Sequence, residues 1–222
     1  MAAVDLDRIA TQLESESSKD RMLALAMLRD VAPAEAAPLV RKVIDDPNLQ
    51  IRSMAVFAMG LKPDEETFDI LIRLVETDPD YGIRADAAGA LGYLEDPRAF
   101  ESLVRAFYED TDWLVRFSAA VSLGNLKDPR ARDVLQAALK SEEVVIQQAA
   151  IAAIGEIGAA DAVEDVLNFA QSEDWLVRQR LAEALSNLPS PKTVPALRFM
   201  AKDPHPQVAE AARISLQRLG EE

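Results

Sequence analysis

Apolar residues recur along this chain with a helical rhythm, and the rhythm itself repeats. Aligned on one arginine, the segments IRSMAVFAMG from Ile51, IRADAAGALG from Ile83, VRFSAAVSLG from Val115, IQQAAIAAIG from Ile146 and VRQRLAEALS from Val177 share a pattern. Small residues follow the arginine by three and six positions (Ala55 and Ala58, Ala87 and Ala90), and a large apolar residue follows by seven (Met59, Leu91, Leu123). That spacing predicts a helix. A second apolar run comes next, as in TFDILIRLVE after Pro63 and FESLVRAFYE after Pro97, so each unit is predicted to be a helical hairpin. The aligned positions Arg21, Arg52, Arg84, Arg116, Gln147, Arg178 and Ala209 lie 31 or 32 residues apart. A fixed period of this length marks a solenoid.

The punctuation agrees with hairpins. Gly60, Gly92, Gly124 and Gly155 follow the first helices and are expected to end them with a left-handed cap. Asp-Pro recurs at Asp46, Asp78, Asp96, Asp128 and Asp203. Aspartate accepts the free amides of a first turn and proline loses nothing at the first helical position, so each pair is expected to open a helix. The expected fold is all-α: a right-handed α-solenoid of about six hairpins of 31–32 residues in a single domain over 1–222. Its predicted parts are a leading helix near 4–14, hairpins near 18–44, 46–76, 78–109, 110–140, 141–171 and 172–202, and a closing helix near 203–219.

Composition narrows the function. With 222 residues and 49% apolar content the chain can bury a large core. The 24 basic against 38 acidic residues give a net charge of −14, which disfavours nucleic acid and keeps an alanine-rich array soluble. No stretch approaches a membrane span, and the start MAAVDLDRIATQLESE lacks the basic and apolar regions of a signal peptide, so a cytoplasmic protein is expected. With no cysteine and one histidine, His205, neither a His/Cys metal site nor a Cys-His or Ser-His-Asp nucleophile can be assembled. Neighbouring acids such as Glu142 with Glu143 and Glu173 with Asp174 read as solvated turns and helix starts. No catalytic residue and no metal ligand is expected, and His205, between two prolines, is expected in a surface loop.

The segment DTDWLVRFSAAVSLGNLKDPRARDVLQAAL, Asp110 to Leu139, resembles the HEAT-like repeat of the phycobilisome-lyase family. Within it the short, cysteine-free array is similar to the NblB-type phycobilisome degradation proteins of cyanobacteria. The resemblance implies a scaffold that binds phycobiliprotein subunits, with a bilin as a transient ligand at most and no resident cofactor. The same repeat serves bilin lyases, which attach or detach chromophores, and iron–sulfur assembly helpers, so an enzyme and a generic adaptor stay open beside the scaffold. Capped termini predict a monomer.

Three sets of residues are candidates for sites. Asp46, Asp78 and Asp110 lie six residues before Arg52, Arg84 and Arg116, and with Arg178 they are expected to form a structural ladder of carboxylates and guanidinium groups, interrupted at Gln147. Arg41, Arg73 and Arg105 form a column in the second helices, expected on the concave, ligand-binding face of a solenoid. They could grip acidic side chains or bilin propionates, or pair within their own helices with Asp45, Glu76 and Glu109. Finally, DWLVR occurs twice, at Trp113 and Trp175, and Tyr81 shares that position. These aromatics, with Phe107 and Tyr108, either sit over the neighbouring hairpin or anchor a partner or bilin.

Overall fold

The computed structural model describes residues 5–221, and among them fourteen α-helices and no strand. The fold is an all-α solenoid of HEAT-like hairpins. The chain divides into two compact units, Met1–Ser102 and Leu103–Glu222. In the first lie α1 (Leu6–Leu13), α2 (Ser18–Met27), α3 (Pro33–Arg41), α4 (Leu49–Leu61), α5 (Thr67–Thr77) and α6 (Tyr81–Leu94). The division falls within α7 (Phe100–Glu109). The second unit continues with α8 (Trp113–Asn125), α9 (Arg132–Ala138), α10 (Val144–Glu156), α11 (Val163–Leu167), α12 (Trp175–Leu185), α13 (Thr193–Met200) and α14 (Pro206–Arg218). Residue 4, the first of the expected leading helix, lies outside the described residues.

The repeat register decides what each first helix buries. The residue before the arginine position (Ile51, Ile83, Val115, Ile146, Val177) is fully enclosed, as are the residues four and eight further on, such as Ala55 with Met59 and Ala119 with Leu123. These positions share one stripe of an α-helix. In the first unit the stripes bring α2 against α4 and α4 against α6, and in the second α8 against α10, α10 against α12 and α12 against α14. Second helices close the other side, α5 on α6 and α13 on α14.

The glycines do not cap. Gly60, Gly92, Gly124 and Gly155 lie inside α4, α6, α8 and α10. The left-handed residues come three positions after the last three of them, at Glu95 (φ 50°), Lys127 (φ 52°) and Gly158 (φ 65°). What requires glycine is the neighbouring helix. A Cβ on Gly124 would stand 2.6 Å from Ala153 Cβ and 2.8 Å from its Cα, and one on Gly155 would stand 2.8 Å from Ala184 Cα. Gly60 meets Ala90 in the same way, at 3.0 Å.

The Asp-Pro pairs split into two classes. Asp96 and Asp128 do cap, accepting the amides of Arg98 and Arg130 at 2.9 Å, with Pro97 and Pro129 opening short 3-10 turns. Asp46, Asp78 and Asp203 stand two residues before the cap. Each accepts the amide two residues on, from Asn48, Asp80 and His205, at 2.8 to 2.9 Å. Asn48 and Asp80 are the residues that cap α4 and α6. The turn leaves one oxygen of each upstream aspartate free for a longer-range partner.

Gly124→Ala is expected to lower stability by about 1–3 kcal/mol, because its methyl group has nowhere to go but into the backbone of α10. Gly89, also inside a helix, has nothing within 4 Å of its would-be Cβ. Gly89→Ala is expected to raise stability by about 0.5–1 kcal/mol. Urea unfolding of the two variants checks both signs.

Candidate binding surface

The repeated arginine reaches in two directions at once. Its Nη1 donates to the backbone carbonyl six residues earlier: Arg21 to Ser15 (2.7 Å), Arg52 to Asp46 (3.1 Å), Arg84 to Asp78 (3.0 Å) and Arg178 to Ser172 (2.6 Å). Gln147 keeps this half of the pattern, with Nε2 2.7 Å from the Ser141 carbonyl. In Arg21, Arg116 and Arg178, guanidinium nitrogens take a carboxylate of the following unit. Arg21 grips both oxygens of Asp46 (2.6 and 2.9 Å), and Arg178 grips both of Asp203 (2.7 and 3.0 Å). Arg116 reaches Glu143 at 2.9 Å. Asp46 and Asp78 therefore offer their carbonyls to Arg52 and Arg84, six residues on, while a carboxylate that joins two units lies in the unit after the arginine that holds it. Asp110 keeps the local turn, accepting the Asp112 amide at 2.9 Å.

These forks perturb the acids. The Arg21 guanidinium holds the Asp46 carboxyl below the usual carboxylate range, and Arg178 does the same to Asp203. For Glu143 the Ser141 hydroxyl is the leading cause of the same lowering, with Arg116 contributing. Asp86 moves the other way, pushed up chiefly by burial between α4 and α6 and only partly relieved by the Ser53 hydroxyl at 2.5 Å. Nothing in its sequence neighbourhood marks Asp86, because its partner lies 33 residues away.

The second-helix arginines do not form a uniform row. Arg41 engages Asp64 and Glu66 (3.2 Å to the latter) at the start of α5, and leaves Asp45 alone. Arg73 is exposed and has no ion pair among the described residues, while Glu76 accepts instead from the Ser102 hydroxyl at 3.1 Å. Arg105 is exposed on α7. Phe107 is a core residue, 7% exposed, and cannot anchor a partner as proposed from sequence. Its ring meets Tyr108 edge-on at 5.1 Å, and Tyr108 stands outside at 57%.

The two copies of DWLVR take different surroundings. Trp113 is 46% exposed, whereas Trp175, at 38%, stacks on His205 with ring centroids 4.2 Å apart and planes 13° apart. His205 lies in the bend just before α14, as its N-cap residue, and is half-buried. Tyr81 is exposed at the same position in the first unit.

A feature that the sequence reading missed lies in the first unit. A groove of about 380 Å³ runs between α2 and α4, lined by Leu25, Leu28, Met54, Phe57 and Leu61, with Arg29 and Lys62 at one end. Phe57 and Leu61 are exposed, and Tyr93 on α6 stands edge-on to Phe57 at 6.2 Å. In the second unit the corresponding face of α10, α12 and α14 forms a groove of about 500 Å³ bordered by Glu156, Arg180, Glu183, Asn187, Glu210 and Arg218.

With this geometry in place, the HEAT-repeat model matches residues 6–92, 69–145 and 134–217. The chain belongs to the HEAT repeat family. No curated protein sequence matches it. Among solved structures, these HEAT repeats are similar to a chain of the complex of CpcE and CpcF of phycocyanin lyase from Nostoc sp. PCC7120, with 26% identity and a TM-score of 0.66, covering 83% of this chain and 76% of that one. An engineered protein aligns at 20% identity and TM-score 0.61, over 97% of this chain and 68% of its own. Kap95p bound to RanGDP aligns at 14% and 0.64, over 99% of this chain and 36% of its own. The last two matches speak for the fold alone.

The fork at Asp203 has a pH signature. An acid whose folded pKa is lowered contributes its stability fully above the unfolded value and loses it as pH falls through the folded one. Asp203→Asn is therefore expected to cost about 2 kcal/mol at pH 7, with the gap from the parent narrowing below about pH 4. Urea unfolding of both proteins at pH 7 and pH 3 measures the two gaps, and equal gaps would contradict the fork as the source.

Proposed function

We propose that this HEAT-repeat protein is a protein-binding scaffold that engages phycobiliproteins, or the bilins they carry, during phycobilisome degradation in the cyanobacterial cytoplasm, and that it works as a monomer. The observation that carries this reading is the 26% identity, over most of both chains, to a subunit of the phycocyanin lyase complex. The surface chemistry supports binding. Tyr81, Tyr108 and Trp113 present exposed rings of the kind that anchor interfaces, and Trp175 presents one face over His205. The acids with displaced pKa serve structural pairs: Asp46 with Arg21, Asp203 with Arg178, and Asp86 with Ser53.

A bilin lyase is the second reading, favoured by the name of the same neighbour. For this activity Arg73 and Arg105, both exposed, are the groups suited to meet the propionates of a bilin. A titration of the purified protein with intact phycocyanin, and separately with free phycocyanobilin, distinguishes the two by size exclusion and visible absorbance. The expected result is co-elution with phycocyanin, an unchanged spectrum, and binding that weakens by a few-fold in Trp113→Ala and in Tyr108→Ala. A bleached or shifted band with free pigment would favour the lyase. No association at tens of micromolar, about −6 to −7 kcal/mol, would overturn both and leave a generic adaptor.

A further inference from the structure

We infer that the groove between α2 and α4 seats a partner α-helix about two turns long, apolar on one face and acidic at one end. The inference holds whichever protein supplies the helix. It begins with α4, which is apolar on both sides. Ile51, Ala55 and Met59 make its core stripe, yet Met54, Phe57, Ala58 and Leu61 make a second stripe at the i, i+3, i+4, i+7 spacing, and no charged residue occurs from Ser53 to Leu61. A helix apolar all round belongs in an interior. Here Phe57 and Leu61 are each 51% exposed on the groove that Leu25 and Leu28 also line.

The repeat supplies its own control. The position five after the arginine is Phe57 in α4, but a residue without an aromatic ring in the other first helices: Ala26, Gly89, Val121, Ala152, Glu183 and Ile214. The position nine after it is Leu61 in α4 and Tyr93 in α6, but Asn125, Glu156, Asn187 and Arg218 in the first helices of the second unit. At position nine the second unit is polar throughout, and at position five no other repeat carries an aromatic ring, so packing asks for neither Leu61 nor Phe57. Exposed apolar surface of this kind, in a chain that is 28% charged, marks a place where something docks.

The dimensions and charges say what. From Met54 to Lys62 the groove is about 12 Å long at 1.5 Å per residue, the span of apolar anchors at i, i+4 and i+7 of a helix laid along it. Met54 is an adaptable liner for such anchors. At the far end stand two cations in a chain of net charge −14. Arg29 has an 83% exposed side chain and only a 3.5 Å contact with Asp30, and Lys62 donates to the Val31 carbonyl at 2.8 Å. An acidic terminal turn on the incoming helix complements both. A second copy of this chain fits worse, since the face it would bring carries the same two cations.

Selection of a displayed library of 16-residue amphipathic helices against the full chain tests this, with apolar residues fixed at i, i+4 and i+7 and the flanks randomised. The expected winners carry Asp or Glu in the turn nearest Arg29 and Lys62. Their binding should fall at least tenfold in Phe57→Glu and in the double variant Arg29→Glu/Lys62→Glu, both of which should keep the far-UV circular dichroism of the parent. No enrichment, winners without acidic bias, or winners indifferent to both variants would overturn the inference. So would a parent that light scattering finds dimeric and Phe57→Glu renders monomeric, which would assign the groove to a second copy.

Discussion

Neighbouring first helices in each unit approach so closely that a methyl group is excluded at their crossing. Gly124 against Ala153 and Gly155 against Ala184 leave less than 3 Å for a Cβ that glycine does not have. Interiors are close-packed and respond to a single added carbon, so this contact sets the distance at which everything else must work. It explains why alanine recurs six positions after the arginine, at Ala90, Ala153 and Ala184. It also explains why a full-sized Leu, Met or Ile at position seven can be enclosed from both sides.

The arginine fork depends on that distance. A guanidinium spans a carbonyl in its own turn and a carboxylate in the next unit only when the two turns stand side by side. In Arg21 and Arg178 both halves are made, and the acid they hold, Asp46 or Asp203, is itself locked by an amide two residues on. Each acid thus receives donors from two units at once, which ties the turn geometry of one hairpin to the helix of the hairpin before it. The planar five-donor head of arginine suits this double duty, whereas Gln147 can make only the carbonyl half.

Position along the repeat then decides which surfaces remain for partners. The core stripe consumes one face of each first helix and the arginine position a second, and what stands on the third is free to vary from unit to unit. In the second unit that face is charged and amide-rich, and in the first it is Phe57, Leu61 and Tyr93. The rings at the helix starts vary in the same way: Trp113 is open, while Trp175 lies against His205.

The helical period, the 31–32 residue repeat, the hairpin units and the core stripe were all legible in the sequence, because each depends on residues within a few turns of one another. The caps were half legible. Asp96 and Asp128 behave as their Asp-Pro pairs suggest, but Asp46 and Asp203 answer to arginines 25 residues away, and the glycines answer to the next helix rather than to their own end. Phe107 looked like a surface anchor beside Tyr108, and adjacent helical positions point apart, one inward and one outward. Sequence by itself determined the fold, since local periodicity and repeat length admit few alternatives. Tertiary structure decided which acid each arginine holds, why the glycines are needed and which apolar residues are left uncovered, because those depend on distances between segments that no local pattern records.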